Sequence, residues 1–155
     1  DGVRINFAAY ETLRPPTETA TPPAGQVKAL QCLLTEQEFY SGSLNGSWNK
    51  ATVKAIQAWQ AGHEMPQREV WSRKNWMSLL SAGETPVLKF GSTGPAVRRL
   101  QRTLNAVGLP ERVAMNGLFR ADTATALRTW QDRVGIEVSG VAGTKTWKAL
   151  AAGTL

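Results

Sequence analysis

Residues 45–60 read NGSWNKATVKAIQAWQ, and residues 116–131 read NGLFRADTATALRTWQ. The second stretch repeats the first in register. Asn45-Gly46 pairs with Asn116-Gly117, Trp48 with Phe119, Thr52 with Thr123, Ile56 with Leu127, and Trp59-Gln60 with Trp130-Gln131. The same offset continues through Val70 and Val141, Lys74 and Lys145, Trp76 and Trp147, and Leu79 and Leu150. Upstream the offset is shorter by one, pairing Val27, Leu30, Gln31 and Leu34 with Val97, Leu100, Gln101 and Leu104. A self-similar period of this kind marks two copies of one small unit. One residue has been gained or lost before the Asn-Gly pair, where a loop tolerates it. Each copy is roughly 60 residues, small but within reach of independent folding.

Each copy predicts three short helices. Val27, Leu30 and Leu34 fall at i, i+3 and i+7, one face of a first helix, as do Val97, Leu100 and Leu104. Gly94-Pro95 marks the start of that helix in the second copy, with proline in the first turn. The second helix carries Val53, Ile56 and Trp59, or Ala124, Leu127 and Trp130, with Asn49 as an N-cap in the first copy. The third carries Trp76, Leu79 and Leu80, or Trp147, Leu150 and Ala151, with Ser72 as a cap and Gly83 and Gly153 as stops. Asn-Gly closes the loop before the second helix. Val138-Ser139-Gly140-Val141 forms a turn before the third. Residues 14–25, with Pro15, Pro16, Pro22 and Pro23, read as an extended linker, and Gly83–Pro86 as a second joint. Residues 3–7 alternate in the manner of a short strand.

Composition narrows the chemistry. The 155 residues are 42% hydrophobic and 19% charged, an ordinary globular balance. No run of apolar residues is long enough to cross a membrane as a helix, and no basic start leads into an apolar stretch. A single cysteine, Cys32, excludes an internal disulfide, and a single histidine, His63, excludes a multi-histidine metal site. No metal and no cofactor is expected. The net charge of +6 favours anionic partners without choosing among them. Lys28, Arg98, Arg99 and Arg102 lie opposite the apolar stripe of the first helix and read as a solvated basic face. Nucleic acid is disfavoured as a partner, because the aromatics sit at core spacing instead of alternating with Lys and Arg. Cys32 and His63 have no third orienting residue, so no catalytic dyad is expected. On a helical wheel Cys32 falls opposite the buried stripe and should face outward.

The second copy resembles the peptidoglycan-binding-like domain of bacterial wall hydrolases. The resemblance rests on Leu100-Gln101, Asn116-Gly117-Leu118-Phe119, Thr123, Trp130-Gln131, Gly140-Val141-Ala142-Gly143 and Thr146-Trp147. It spans nearly all of that copy, and the first copy matches in its first half. The departures are Asn45, Asn116 and Ser139 where the family has aspartate, and Asn49 and Arg120 where it has glycine. In the first copy Glu69 stands in place of the second turn glycine. The resemblance implies a mainly α chain: two tandem small three-helix domains joined by a short linker. Residues 1–24 would be an extension and Pro-rich linker, 25–82 a degenerate first domain and 87–155 a second.

The implied function is non-catalytic binding of wall peptidoglycan or muropeptide, which targets or anchors a secreted, wall-associated protein. Catalysis would come from a domain elsewhere or from a partner protein, and anionic wall polymers are a further expected partner. The alternative is a protein-interaction module on the same fold. The expected ligand contacts are Asn116, Gly117, Arg120 and Ser139, with Asn45 and Trp48 in the first copy, since recognition sits on loops held by a rigid frame. The first copy is expected to bind more weakly. Trp59, Trp76, Trp130 and Trp147 are expected in the core; Trp48 and Trp71, at or beside loops, are better placed than these to face a ligand. Gln60 and Gln131, on the buried arc of the second helix, must bond loop backbone.

Overall fold

The computed structural model describes residues 10–110 and 112–155. The strand expected at residues 3–7 lies outside the described residues. Among those described, the chain is mainly α, as expected. The helices are α1 (Ala24–Glu36), α2 (Lys50–Gly62), α3 (Arg73–Leu80), α4 (Pro95–Val107), α5 (Ala121–Val134) and α6 (Thr144–Ala151). Extended pairing among the described residues is confined to isolated antiparallel bridges. The chain divides into two compact units, one ending at Asn75 and the other running Trp76–Leu155, so the division passes through α3.

The apolar stripes form the cores. Val27, Leu30 and Leu34 of α1 and Val97, Leu100 and Leu104 of α4 are fully buried. So are Ile56, Trp59, Leu127, Trp130, Trp76 and Trp147. Each such side chain contributes about 1.5–3 kcal/mol by leaving water. Val53 is half-buried where its partner Ala124 is buried. Helix starts follow the local chemistry. Asn49 accepts from Thr52 N at 2.9 Å and caps α2. Ser72 and Asn75 cap α3 reciprocally: Ser72 Oγ accepts from Asn75 N at 3.3 Å, and Asn75 Oδ1 accepts from Ser72 N at 3.0 Å. Pro95 opens α4 after Gly94.

Two buried glutamines in each copy hold the loops. Gln31 Oε1 accepts from Gly46 N at 2.9 Å, and its Nε2 donates to Ser47 O and Thr52 Oγ1, each at 3.0 Å. Gln101 repeats this set: it accepts from Gly117 N at 2.9 Å and donates to Leu118 O and Thr123 Oγ1, each at 3.0 Å. Gln131 Oε1 accepts from Ser139 N and Gly140 N at 3.1 and 3.0 Å. Its Nε2 donates to Val141 O at 3.1 Å and Thr146 Oγ1 at 3.2 Å. Gln60 accepts from Arg68 N at 2.8 Å and donates to Val70 O and Asn75 Oδ1 at 3.0 and 3.1 Å. The structural role expected of Gln60 and Gln131 is therefore observed.

Two expectations are corrected. Trp71 is fully buried, because it sits in an antiparallel bridge with Leu13: Leu13 N donates to Trp71 O at 2.8 Å and Trp71 N to Leu13 O at 2.9 Å. The segment before α1 is accordingly docked at Tyr10 and Leu13, both buried. Leu88 and Ala142 form the matching bridge in the second copy. Arg99 is not a solvated cation. It donates to Ser81 O at 3.1 Å, to Ala82 O at 2.8 Å and to Glu84 O, and lies 4.9 Å from the centre of the Trp147 ring. Burial lowers its pKa, and the Glu84 carboxylate partly opposes that. Within the second unit, Trp147 Nε1 also donates to Pro86 O at 2.8 Å.

Helix ends differ between the copies in residue, while the aligned positions share a left-handed backbone. Phe39 N donates to Leu34 O and Glu38 N to Thr35 O beyond α1; Met65 N donates to Gln60 O and Glu64 N to Ala61 O beyond α2. Both closures are Schellman motifs, with Glu38 at φ 64° and Glu64 at φ 58° in the left-handed position. The aligned residues of the second copy are Gly108 and Gly135, at φ 84° and 80°. A side chain there costs free energy that glycine avoids.

Glu38→Gly and Glu64→Gly should each stabilise the first unit by about 0.5–1 kcal/mol, read as a higher thermal midpoint. Gln101→Ala should destabilise the second unit by about 2–4 kcal/mol in urea unfolding, because Gly117 N and Thr123 lose their buried partner. Unchanged midpoints would contradict either expectation.

Candidate functional site

The expected contact residues stand at loops built by the glutamines. Asn116 Oδ1 accepts from Leu118 N at 2.9 Å, an Asx turn, and from Gln101 Nε2 at 3.3 Å. Asn45 does the same with Ser47 N at 2.9 Å and Gln31 Nε2 at 3.4 Å. Gly117 is buried at φ 74°, and a Cβ there would stand 3.2 Å from Gly94 O, so a larger residue would be strained in this turn. Ser139 Oγ accepts from Val141 N at 3.1 Å and Gln131 Nε2 at 3.4 Å. The oxygens of these three side chains therefore shape the turns. Arg120 is exposed and donates to Phe119 O at 3.3 Å.

The second-copy residues do not converge on one point. Asn116, Gly117 and Arg120 precede α5, while Ser139 folds back to be held at Gln131, near the other end of that helix. At about 1.5 Å per residue, the stretch of α5 between Arg120 and Gln131 is roughly 15 Å. Ser139 lines a cavity of about 360 Å³ with Val141, Gly143 and Lys145.

The first copy does join the two corresponding loops. A groove of about 780 Å³ runs from Trp48, after the Asn-Gly turn, along Lys50, Val53, Lys54 and Gln57 of α2 to Glu69, before α3. Its counterpart in the second copy is filled. Phe119 replaces Trp48 and is fully buried, and Arg128 replaces Gln57. The Arg128 guanidinium lies so close to Gly140 that a Cβ there would meet its Nε at 2.7 Å. Gly140, at φ 70°, stands where the first copy has Glu69. The wall residues Lys50, Lys54, Gln57 and Glu69 were not anticipated from sequence. The legible signal was two lysines four apart, immediately after an exposed-loop tryptophan.

The cysteine and histidine do not form a reactive pair. Cys32 is half-buried, and burial, with Glu36 beside it, pushes its pKa up, so the thiol stays protonated at neutral pH. Its outward placement is only partial. His63 stacks on Trp59 with ring centres 3.8 Å apart, and its Nδ1 bonds Trp59 O at 2.8 Å. Among the described residues no group of three or more His, Cys, Asp or Glu could hold a metal ion, and no helix is long and apolar enough to cross a membrane.

The family comparison bears on the second copy. Residues 93–150 match the profile of a family described as "Putative peptidoglycan binding domain". Over 68 residues the chain is 41% identical to the N-acetylmuramoyl-L-alanine amidase CwlL of Bacillus licheniformis, a match covering 43% of this chain and 19% of the amidase. The chain thus spans about a fifth of that relative. The crystal structure of the SleB N-terminal domain aligns with a TM-score of 0.44 and 34% identity, over 48% of this chain and all of that one. The stretch that carries both the Gln101 and the Gln131 latch, residues 93–150, is thereby matched to a peptidoglycan-binding domain.

Proposed function

We propose that this chain is a wall-targeting piece that binds bacterial peptidoglycan without cleaving it. The match of residues 93–150 to a peptidoglycan-binding family carries the reading. The repeat supports extending it to both copies, residues 25–82 and 87–155. Gln31 and Gln101 hold their loops through equivalent bonds, each accepting from the turn glycine at 2.9 Å. Catalysis belongs to another domain or partner: the matched stretch covers 19% of the relative named as an amidase. The protein carrying the chain is secreted and wall-associated.

The mechanism is positioning. Loops fixed by buried amides present a shallow polar surface with little ordering cost on binding. Two linked weak sites then prolong residence on a polymer that repeats the same ligand. Of the expected contacts, Arg120 has an exposed side chain whose loss leaves the glutamine latches intact.

The full chain should sediment with purified sacculi and leave the turbidity of a wall suspension unchanged. Arg120→Ala should weaken sedimentation about two- to fivefold, the effect of one exposed polar contact, without shifting the thermal midpoint. Absence of sedimentation, or binding only when a second protein is added, would favour the protein-interaction alternative.

A further inference from the structure

Resting on that reading, the groove along α2 in the first copy has a chemistry of its own. Its floor is the half-buried ring of Trp48 with Val53. Lys50 and Lys54 stand one helical turn apart on one wall, and Glu69 stands on the other. Among the described residues none of these three charges has an ion-pair or hydrogen-bond partner. Trp48 Nε1 is itself buried without a partner among them. An orphaned buried donor costs stability. The second copy avoids that cost with Phe119, which fills the same position completely. Trp71 Nε1 likewise makes no hydrogen bond among the described residues inside the core, so what sets Trp48 apart is its half-buried ring beside free charges of both signs.

We infer that this groove binds a short zwitterionic peptide, the stem peptide of the wall polymer. Its carboxylates meet Lys50 and Lys54, its amine meets Glu69, and its alkyl backbone lies over Trp48 and Val53. From Lys50 to Gln57 the wall rises through about two helical turns, roughly 10 Å. That is the span of about three extended peptide residues. The volume of about 780 Å³ suits a ligand of that size. A neutral glycan would leave all three charges unused, and a polyphosphate would be repelled by Glu69. Stem-peptide recognition then falls to the copy whose turn glycine is lost, the one expected from sequence to bind more weakly.

The test is an NMR titration of the full chain with a synthetic wall stem tetrapeptide carrying free carboxylates and a free side-chain amine. The same peptide, N-acetylated on that amine, and uncharged chitotetraose serve as comparisons. Shifts should centre on the Trp48 indole and Val53, and weaken as salt rises. Lys50→Ala with Lys54→Ala should raise Kd about five- to tenfold, and Glu69→Gln about two- to fourfold, selectively for the unacetylated peptide. Trp48→Phe should weaken binding while the thermal midpoint holds or rises, which separates recognition from folding. Chitotetraose binding in the groove, or peptide binding indifferent to the lysine changes, would overturn the inference. If sacculi still sediment the chain while the peptide does not bind, the groove assignment fails and wall binding stands. If the chain does not sediment, the wider reading fails as well.

Discussion

A side-chain amide buried where a loop crosses a helix is the constraint on which the rest of this structure depends. Gln31, Gln60, Gln101 and Gln131 are each almost entirely buried. A buried amide must be satisfied on both its donor and acceptor ends. A loop that supplies a backbone N–H and a backbone carbonyl at the right separation does this in one step. The amide thereby fixes the loop, and the loop fixes the start of the next helix through Thr52, Thr123, Asn75 or Thr146. Helices as short as these are marginal alone. Packing against neighbours and anchored starts make them persist.

The copies show which parts of this arrangement tolerate change. The latch around the Asn-Gly turn recurs with the same partners and nearly the same distances. Around the second turn it loosens: Gln131 accepts from two consecutive backbone donors, and Gln60 accepts from Arg68 N. The cause is the residue aligned with Gly140. Only Glu38 and Glu64 among the described non-glycine residues have positive φ, so Glu69 does not adopt the left-handed turn. At the helix ends the opposite happens, and Glu38 and Glu64 accept the left-handed position because the Schellman bonds hold them there. Whether a lost glycine changes the backbone therefore depends on how many bonds enforce the turn.

Most of the helical frame was legible in the sequence because periodicity and repeat alignment are redundant signals. The stripes at Val27, Leu30 and Leu34, and the caps at Asn49, Ser72 and Pro95, stand where spacing placed them. The misreadings share a cause: contacts made by segments with no periodicity. Leu13 sits beside a Pro-rich stretch, and nothing local reveals that it pairs with Trp71. The bridge partners Leu13 and Leu88 escaped the repeat alignment because the connections from them to the first helix differ in length. Arg99 looked solvated on the wheel, yet its long side chain reaches carbonyls beyond α3. Asn105 was also missed; its side chain grips Val113 through bonds of 2.8 and 2.9 Å, and its first-copy counterpart is Thr35. For the candidate site, loop identity was readable but convergence was not, because a distance along α5 is not a property of any motif.

Loss of the turn glycine and gain of a groove are one event in physical terms. In the second copy Gly140 leaves room for the Arg128 guanidinium to lie against the turn, and Phe119 plugs the space beneath. That surface is closed by the chain's own side chains. In the first copy Glu69 brings a side chain where Arg128 would rest, and the residue facing it is the shorter, uncharged Gln57. Trp48 is not buried as Phe119 is, and its half-buried ring forms part of the groove floor. The helix face between them stays open, bounded by charges that the fold does not use. A repeat freed from closing its own surface keeps the frame, because the glutamine latches need only backbone partners on the loop side, and so can present a different chemistry on the same scaffold.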